Sequence, residues 1–208
     1  MSLIFEKALS QHKQKGHYRE RKVLQGLAGM QRRYNDKNFS CFSSNDYLGL
    51  SKHPAVIKSF KQVADDYGVG SGSSHFLGAY NRFHHELELA LAEFLNFPKV
   101  LVFSTGYMAN LGILGSLLQR RSTIFADKLS HASLIDGAKA SGALLKRFPH
   151  NNLVSLEKHL MQSISRQKFI MTDGVFSMDG DIALLPSLVE ITRKFSSTLL
   201  VDDAHGIG

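Results

Sequence analysis

Residues 198–208 read TLLVDDAHGIG, four apolar or β-branched positions running into a carboxylate and, three residues later, an imidazole. Neither group can be buried in the middle of a strand without a partner. Asp202 and His205 are therefore expected where the strand stops. In an open α/β sheet, ligands bind in the crevice outside the carboxyl ends of the strands. Two other segments fall at the same kind of edge. Residues 103–107 (FSTGY) join the apolar run 100–103 to a helical pattern through Gly106. The free N–H groups at such a helix start suit an anion, a phosphate above all, although a simple tight turn uses the same residues. His131, within DKLSHASL at 127–134, follows the apolar run 123–126 and opens another helix. A histidine there is either a cap, a surface residue or a ligand contact. Asp202, His205, His131 and Gly106 converging on one edge favour the ligand.

A phosphate site, an imidazole able to stack and a buried carboxylate together suit a phosphorylated pyridine. A carboxylate beside the ring nitrogen keeps that nitrogen protonated, as an electron sink for carbanion chemistry requires. Other readings are weaker. GVGSGSSH at 68–75 fails as a dinucleotide fingerprint, because the third glycine of G-x-G-x-x-G falls on His75 and the segment follows a helix. There is no phosphate-loop lysine pattern and no G-x-S-x-G elbow. The ten histidines show no H-E-x-x-H spacing, and adjacent His84 and His85 point to different helix faces, so no metal is expected.

The elements that must carry these groups alternate along the chain. Helical patterns are expected at 3–25, 54–67, 83–96, 107–120, 134–141, 153–164 and 188–195. Strands are expected at 39–42, 100–103, 123–126, 144–148, 169–172 and 198–201, with a polar turn at 43–46 and a glycine break at 68–72. Short apolar strands separated by helices predict an α/β fold, a mostly parallel sheet covered on both faces. With 208 residues and 43% apolar content the chain can bury a substantial core. Residues 1–33 hold eight Lys or Arg against two Glu, which is +6 of the net +7. Such a basic arm meets an anionic small molecule or nucleic acid, or is a solvated helical face. No zinc-finger or RNA-binding pattern supports nucleic acid. A single cysteine, Cys41, an N-terminus without a signal-peptide apolar region and no run of about 20 apolar residues predict a cytoplasmic protein with no membrane partner.

The segments SSNDYLGL (43–50), GSGSSH (70–75), SHASL (130–134), TDGVFSMDGD (172–181) and VDDAHG (201–206) resemble the α-oxoamine synthases. These are acyltransferases dependent on pyridoxal 5'-phosphate (PLP), with the type I fold of aspartate aminotransferase. The resemblance implies that Asp202 pairs with the pyridine nitrogen, His205 bonds the phenolic oxygen, and His131 stacks on the ring and helps to place substrate. Gly106 and Tyr107 are implied as backbone contacts to the cofactor, Ser177 as a further contact, and Arg19 as a contact to the acyl substrate. Asp173 stands where a glutamate is common. The implied domains are a basic helical arm with a short strand at 1–42 and a partial PLP-binding large domain at 43–208.

The motifs are nearest to those members that join L-alanine to a pimeloyl thioester with loss of carbon dioxide. Members that use other amino acids and acyl groups, and a non-catalytic fragment, remain alternatives. The resemblance also implies a homodimer and a Schiff-base lysine a few tens of residues beyond the Asp-x-x-His motif. No lysine within the 208 residues matches that position, so the chain alone is expected not to turn over.

Overall fold

In a computed structural model, residues 3–25 and 31–207 are described; Gly208, the last residue of the TLLVDDAHGIG stretch, and residues 26–30 of the basic arm lie outside them. The chain forms two compact units, Met1–Gly70 and Ser71–Gly208, so the expected boundary after residue 42 falls inside the first.

The first unit begins with helix α1 (Leu3–Gln14). The helix stops much earlier than the expected residue 25. Gly16 turns the chain at φ 67°, and residues 17–24 are irregular. Strands β1 (Gln31–Tyr34) and β2 (Lys37–Ser40) then form an antiparallel hairpin, Tyr34 opposite Lys37. Its two turn residues, Asn35 and Asp36, both have positive φ. That geometry matches the right-handed twist of the flanking strands, and Asn and Asp tolerate it. The expected strand at 39–42 is thus displaced by two residues, and its partner was not anticipated. Helix α2 (Pro54–Tyr67) has the expected bounds: proline starts it without losing a hydrogen bond, and Gly68, at φ 82°, ends it.

The second unit carries the sheet. Helix α3 (Arg82–Phe94) is capped by Asn81, whose side chain accepts from the N–H groups of Phe83 and His84. Helix α4 (Gly106–Leu117) is capped by Thr105. There follow β3 (Thr123–Asp127), α5 (Ala132–Ala140), β4 (Leu144–Phe148), α6 (Leu153–Met161), β5 (Lys168–Asp173), α7 (Leu185–Lys194) and β6 (Thr198–Asp202). The four strands are parallel in the order β4-β3-β5-β6. Segment 100–103 is not among them. It has no ladder partner among the described residues, and Leu101 is exposed, so its apolar character does not make it the buried strand expected from sequence.

The alternation of strand side chains sorts the core into two layers. Phe125, Phe148 and Ile170 face α6 and α7, packing with Leu156, Leu160 and Leu188. Ile124, Ala126 and Met171 face the other way, packing with Leu114 of α4 and Leu134 and Ala138 of α5. Helices α4 and α5 approach closely because Gly137 has no side chain; a Cβ there would meet Leu114 Cδ1 at 2.8 Å and the Asn110 carbonyl oxygen at 3.1 Å. From β3 the chain moves outward to β4 and then crosses back to β5. The carboxyl ends of β3 and β5 therefore flank the topological switch point, the usual place for a ligand in such a sheet. Among the described residues no helix is long and apolar enough to cross a membrane.

Candidate active site

Asp202 is the last residue of β6, and its cross-strand neighbour on β5 is Asp173. The carboxylate of Asp202 is held from two sides. Oδ2 accepts from Asn110 Nδ2 at 2.7 Å, and Oδ1 accepts from the Ala204 N–H at 3.2 Å. Asn110 is buried one turn inside α4, a helix otherwise lined with apolar side chains, and its amide also donates to Ser133 Oγ at 2.8 Å. Ser133 Oγ lies 2.7 Å from His131 Nδ1, and His131 Nδ1 accepts from the Ser133 N–H.

These contacts have one consistent direction. Both amide protons of Asn110 are committed, so the Ser133 hydroxyl accepts from Asn110 and donates to His131. Nδ1 of His131 is then an acceptor, which places the ring proton on Nε2. One connected network thus joins the histidine at the start of α5 to the carboxylate at the end of β6. His131 itself occupies the N-cap of α5, so the cap and ligand roles that the sequence left as alternatives are compatible.

Asp173 completes the backing of this corner. Its carboxylate accepts from the His131 N–H, at 3.0 Å to Oδ2. Burial, followed by the negative charge of Asp202, pushes its pKa up to about 6 against the stabilising His131 N–H. The folded protein therefore binds a proton here more tightly than the unfolded chain does. The associated stability is complete below about pH 4 and lost as pH rises through about 6. Asp173→Asn keeps an acceptor for His131 and removes the charge. The variant is expected to be more stable than the parent at pH 7.5, on the order of 1–2 kcal/mol once the full linkage value of about 3 kcal/mol is reduced for solvent screening of this partly solvated carboxylate, with the difference vanishing near pH 4. Urea midpoints for the pair at the two pH values test this; a variant less stable at pH 7.5 would contradict it.

Gly106 begins α4, where the first N–H groups have no carbonyl one turn earlier to bond. Thr105 Oγ1 takes the Met108 N–H, leaving the N–H groups of Gly106 and Tyr107 directed outward from the helix start. The Tyr107 hydroxyl donates to Asp136 Oδ2 of α5 at 2.6 Å, and that bond, with burial, raises its pKa. His205 lies in the turn after β6, half-buried. Ser177 is exposed in the loop after β5, whose first N–H, from Gly174, donates to the Asp202 carbonyl at 2.7 Å. Arg19 belongs to the first unit, exposed and beyond the end of α1. Among the described residues no group of three or more His, Cys, Asp or Glu is arranged to hold a metal ion.

The sequence reading missed Asn110, Ser133 and Asp136. An asparagine inside an apolar helical pattern was the available signal for the first. Ser133, two residues after His131, could have been paired with it as a local side-chain contact.

The family Aminotransferase class I and II matches residues 38–208. The 8-amino-7-oxononanoate synthase of Nitrosomonas eutropha is 50% identical over 201 residues, covering 97% of this chain and 52% of that protein. Serine palmitoyltransferase of Sphingomonas wittichii superposes with a TM-score of 0.90 at 32% identity, covering all of this chain and 54% of that one. The enzyme of the same name from S. paucimobilis, solved with a bound PLP–myriocin aldimine, gives a TM-score of 0.85 at 29% identity over 97% of this chain and 52% of that one. The chain spans about half the length of the curated relatives it matches. The parallel sheet is thus that of the type I transferase fold, and with 171 of the 208 residues within the match, this chain belongs to the aminotransferase class I and II family.

Proposed function

We propose that this chain supplies the cofactor-holding part of an 8-amino-7-oxononanoate synthase, which condenses L-alanine with a pimeloyl thioester and releases carbon dioxide. The observation that carries the reading is the Asp202 carboxylate, fixed by Asn110 and the Ala204 N–H and linked through Ser133 to His131. The names of the 45–50% identical relatives support the choice of substrates. The donor set fits PLP. A rigid anionic oxygen suits a pyridinium nitrogen, the outward N–H groups of Gly106 and Tyr107 suit an anion, and the exposed imidazole of His131 offers a flat face. When bound, PLP supplies the electron sink for the carbanion at the alanine α-carbon.

The protein's part is orientation and charge. Asp202 holds its negative charge at a fixed point because both oxygens are engaged. His131 presents Nε2–H outward, with its ring held by Ser133 and its backbone by Asp173. His205 is assigned the phenolic oxygen and Ser177 a further cofactor contact. Arg19, in the basic arm, is assigned the anionic acyl substrate. A cytoplasmic homodimer belongs to the same reading.

The test is direct. The intact protein, supplied with PLP, L-alanine and pimeloyl-CoA, is expected to release free thiol and form 8-amino-7-oxononanoate. Because a serine palmitoyltransferase superposes closely, palmitoyl-CoA with L-serine is the necessary comparison. Faster thiol release with that pair would replace the substrate assignment and leave the cofactor assignment standing.

A further inference from the structure

The loop at 174–183 is built as a small antiparallel turn. Val175 bridges Ile182, Phe176 and Asp181 are joined by a backbone bond of 2.9 Å, and the Gly180 N–H reaches the Phe176 carbonyl at 2.8 Å. Its base is tied to β6 through Gly174, and Phe176 is buried against the core. Its far side is held by a group outside the candidate active site. His150, just beyond β4, places Nδ1 3.0 Å from Asp127 Oδ1 and Nε2 2.6 Å from Asp181 Oδ2, while its ring meets the Phe176 ring edge-on at 4.4 Å.

Both carboxylates are acting as acceptors. Asp127, almost fully buried, takes the Leu129 N–H on Oδ1 and the Asn151 N–H on Oδ2; Asp181 Oδ2 takes the Asn151 side-chain amide. The Asn151 amide also lies 3.4 Å from Nε2, but it donates at 3.0 Å to Asp181 Oδ2, and the shorter contact at Nε2 is the carboxylate at 2.6 Å. With a carboxylate closest to each ring nitrogen, both bonds form only when the ring carries two protons, as the imidazolium does. The charged groups facing the ring are Asp127 from β3 and Asp181 from the loop. The acid of α6, Glu157, is engaged by Lys194 instead.

We infer that His150 is a positioning residue, an imidazolium clasp that joins the end of β3 to the 174–183 loop and thereby fixes the loop carrying Ser177. The assignment of Ser177 to the cofactor rests on the proposed function; the clasp does not. Burial alone would lower the His150 pKa, but the hydrogen bonds and charges of Asp127 and Asp181 outweigh it and raise it above 6.5. Stability from the clasp is therefore fully present below pH 6.5 and lost as pH rises through the raised value. Once the proton leaves, one carboxylate faces a ring lone pair, and the loop is held on that side only by the Asn151 amide on Asp181 Oδ2 and the buried Phe176 ring, a looser attachment.

The test is amide hydrogen exchange of residues 174–183 in the intact protein between pH 6 and 9, corrected for intrinsic rates. Protection of the loop is expected to fall roughly tenfold across this range in the parent. In Asp181→Asn, which removes one of the two charges holding the proton, the fall is expected at lower pH. His150→Gln, which cannot become cationic, is expected to show low protection with no such step. A flat profile in the parent, or an unchanged midpoint in Asp181→Asn, overturns the clasp. Because exchange needs neither cofactor nor substrate, failure here is distinct from failure of the proposed reaction.

Discussion

Asp202→Asn is expected, on the proposed function, to lower kcat for thiol release from pimeloyl-CoA by roughly 100- to 1000-fold, the scale seen when one preorganised electrostatic group opposite developing charge is removed. The substitution preserves shape. With its oxygen turned to Asn110, the new amide still accepts the bond that ties β6 to α4, and only the longer Ala204 N–H contact is given up. What disappears is the negative charge that the proposed function places opposite the ring nitrogen of PLP, and with it the electron sink that reading requires. The loss should therefore fall on kcat far more than on the KM for alanine, which reports ground-state binding. Steady-state kinetics of the intact protein, with circular dichroism to confirm the fold, measure it. A variant within tenfold of the parent would place the ring nitrogen opposite some other group.

Phe125→Ala is expected to produce the largest loss of stability, about 3–5 kcal/mol. Phe125 lies in the middle of β3, paired on both sides, and is fully buried against Phe148, Leu156 and Leu188 in one of the two core layers. Strands on either side prevent the backbone from collapsing into the space left by the ring. The cost is thus the transfer of the ring plus most of the cavity. Val154→Ala on α6, where the side chain is 82% exposed, serves as the control and should change stability by less than about 0.5 kcal/mol. Urea unfolding of the two variants beside the parent separates them; a Phe125→Ala midpoint near that of Val154→Ala would refute the assignment of the core.

The parts of the fold legible in sequence were those with local causes. Helix α2 could be bounded to the residue because proline opens it and a glycine closes it. Strands β3 to β6 stand out as short apolar runs between helical patterns. The hairpin of β1 and β2 did not, because Gln31-Arg-Arg-Tyr34 alternates no apolar face and its Asn35-Asp36 turn lacks the glycine usually sought. Segment 100–103 misled in the opposite sense: apolar content signals burial, but a strand exists only where a neighbour pairs with it. The site divides the same way. Asp202, His205 and His131 sit at ends of elements, where a polar residue after an apolar run is conspicuous. Asn110 reaches a carboxylate 92 residues away and His150 an acid 31 residues away, distances that only the folded chain closes.

The two borders of the parallel sheet are chemically unlike. The outer strand β4 carries Lys146 and Arg147, and the Arg147 guanidinium is bonded to the Lys128 carbonyl, so an incoming chain would meet charge and an occupied group. β6, with β5 as its one partner among the described residues, offers Thr198-Leu-Leu-Val201 with no basic residue to discourage pairing. Natural sheets guard such a row of open amides with lysine, proline or a bulge. Growth of this sheet by further strands is thus directed to one side. Preparations in which β6 finds no strand to pair with should self-associate through it as concentration rises.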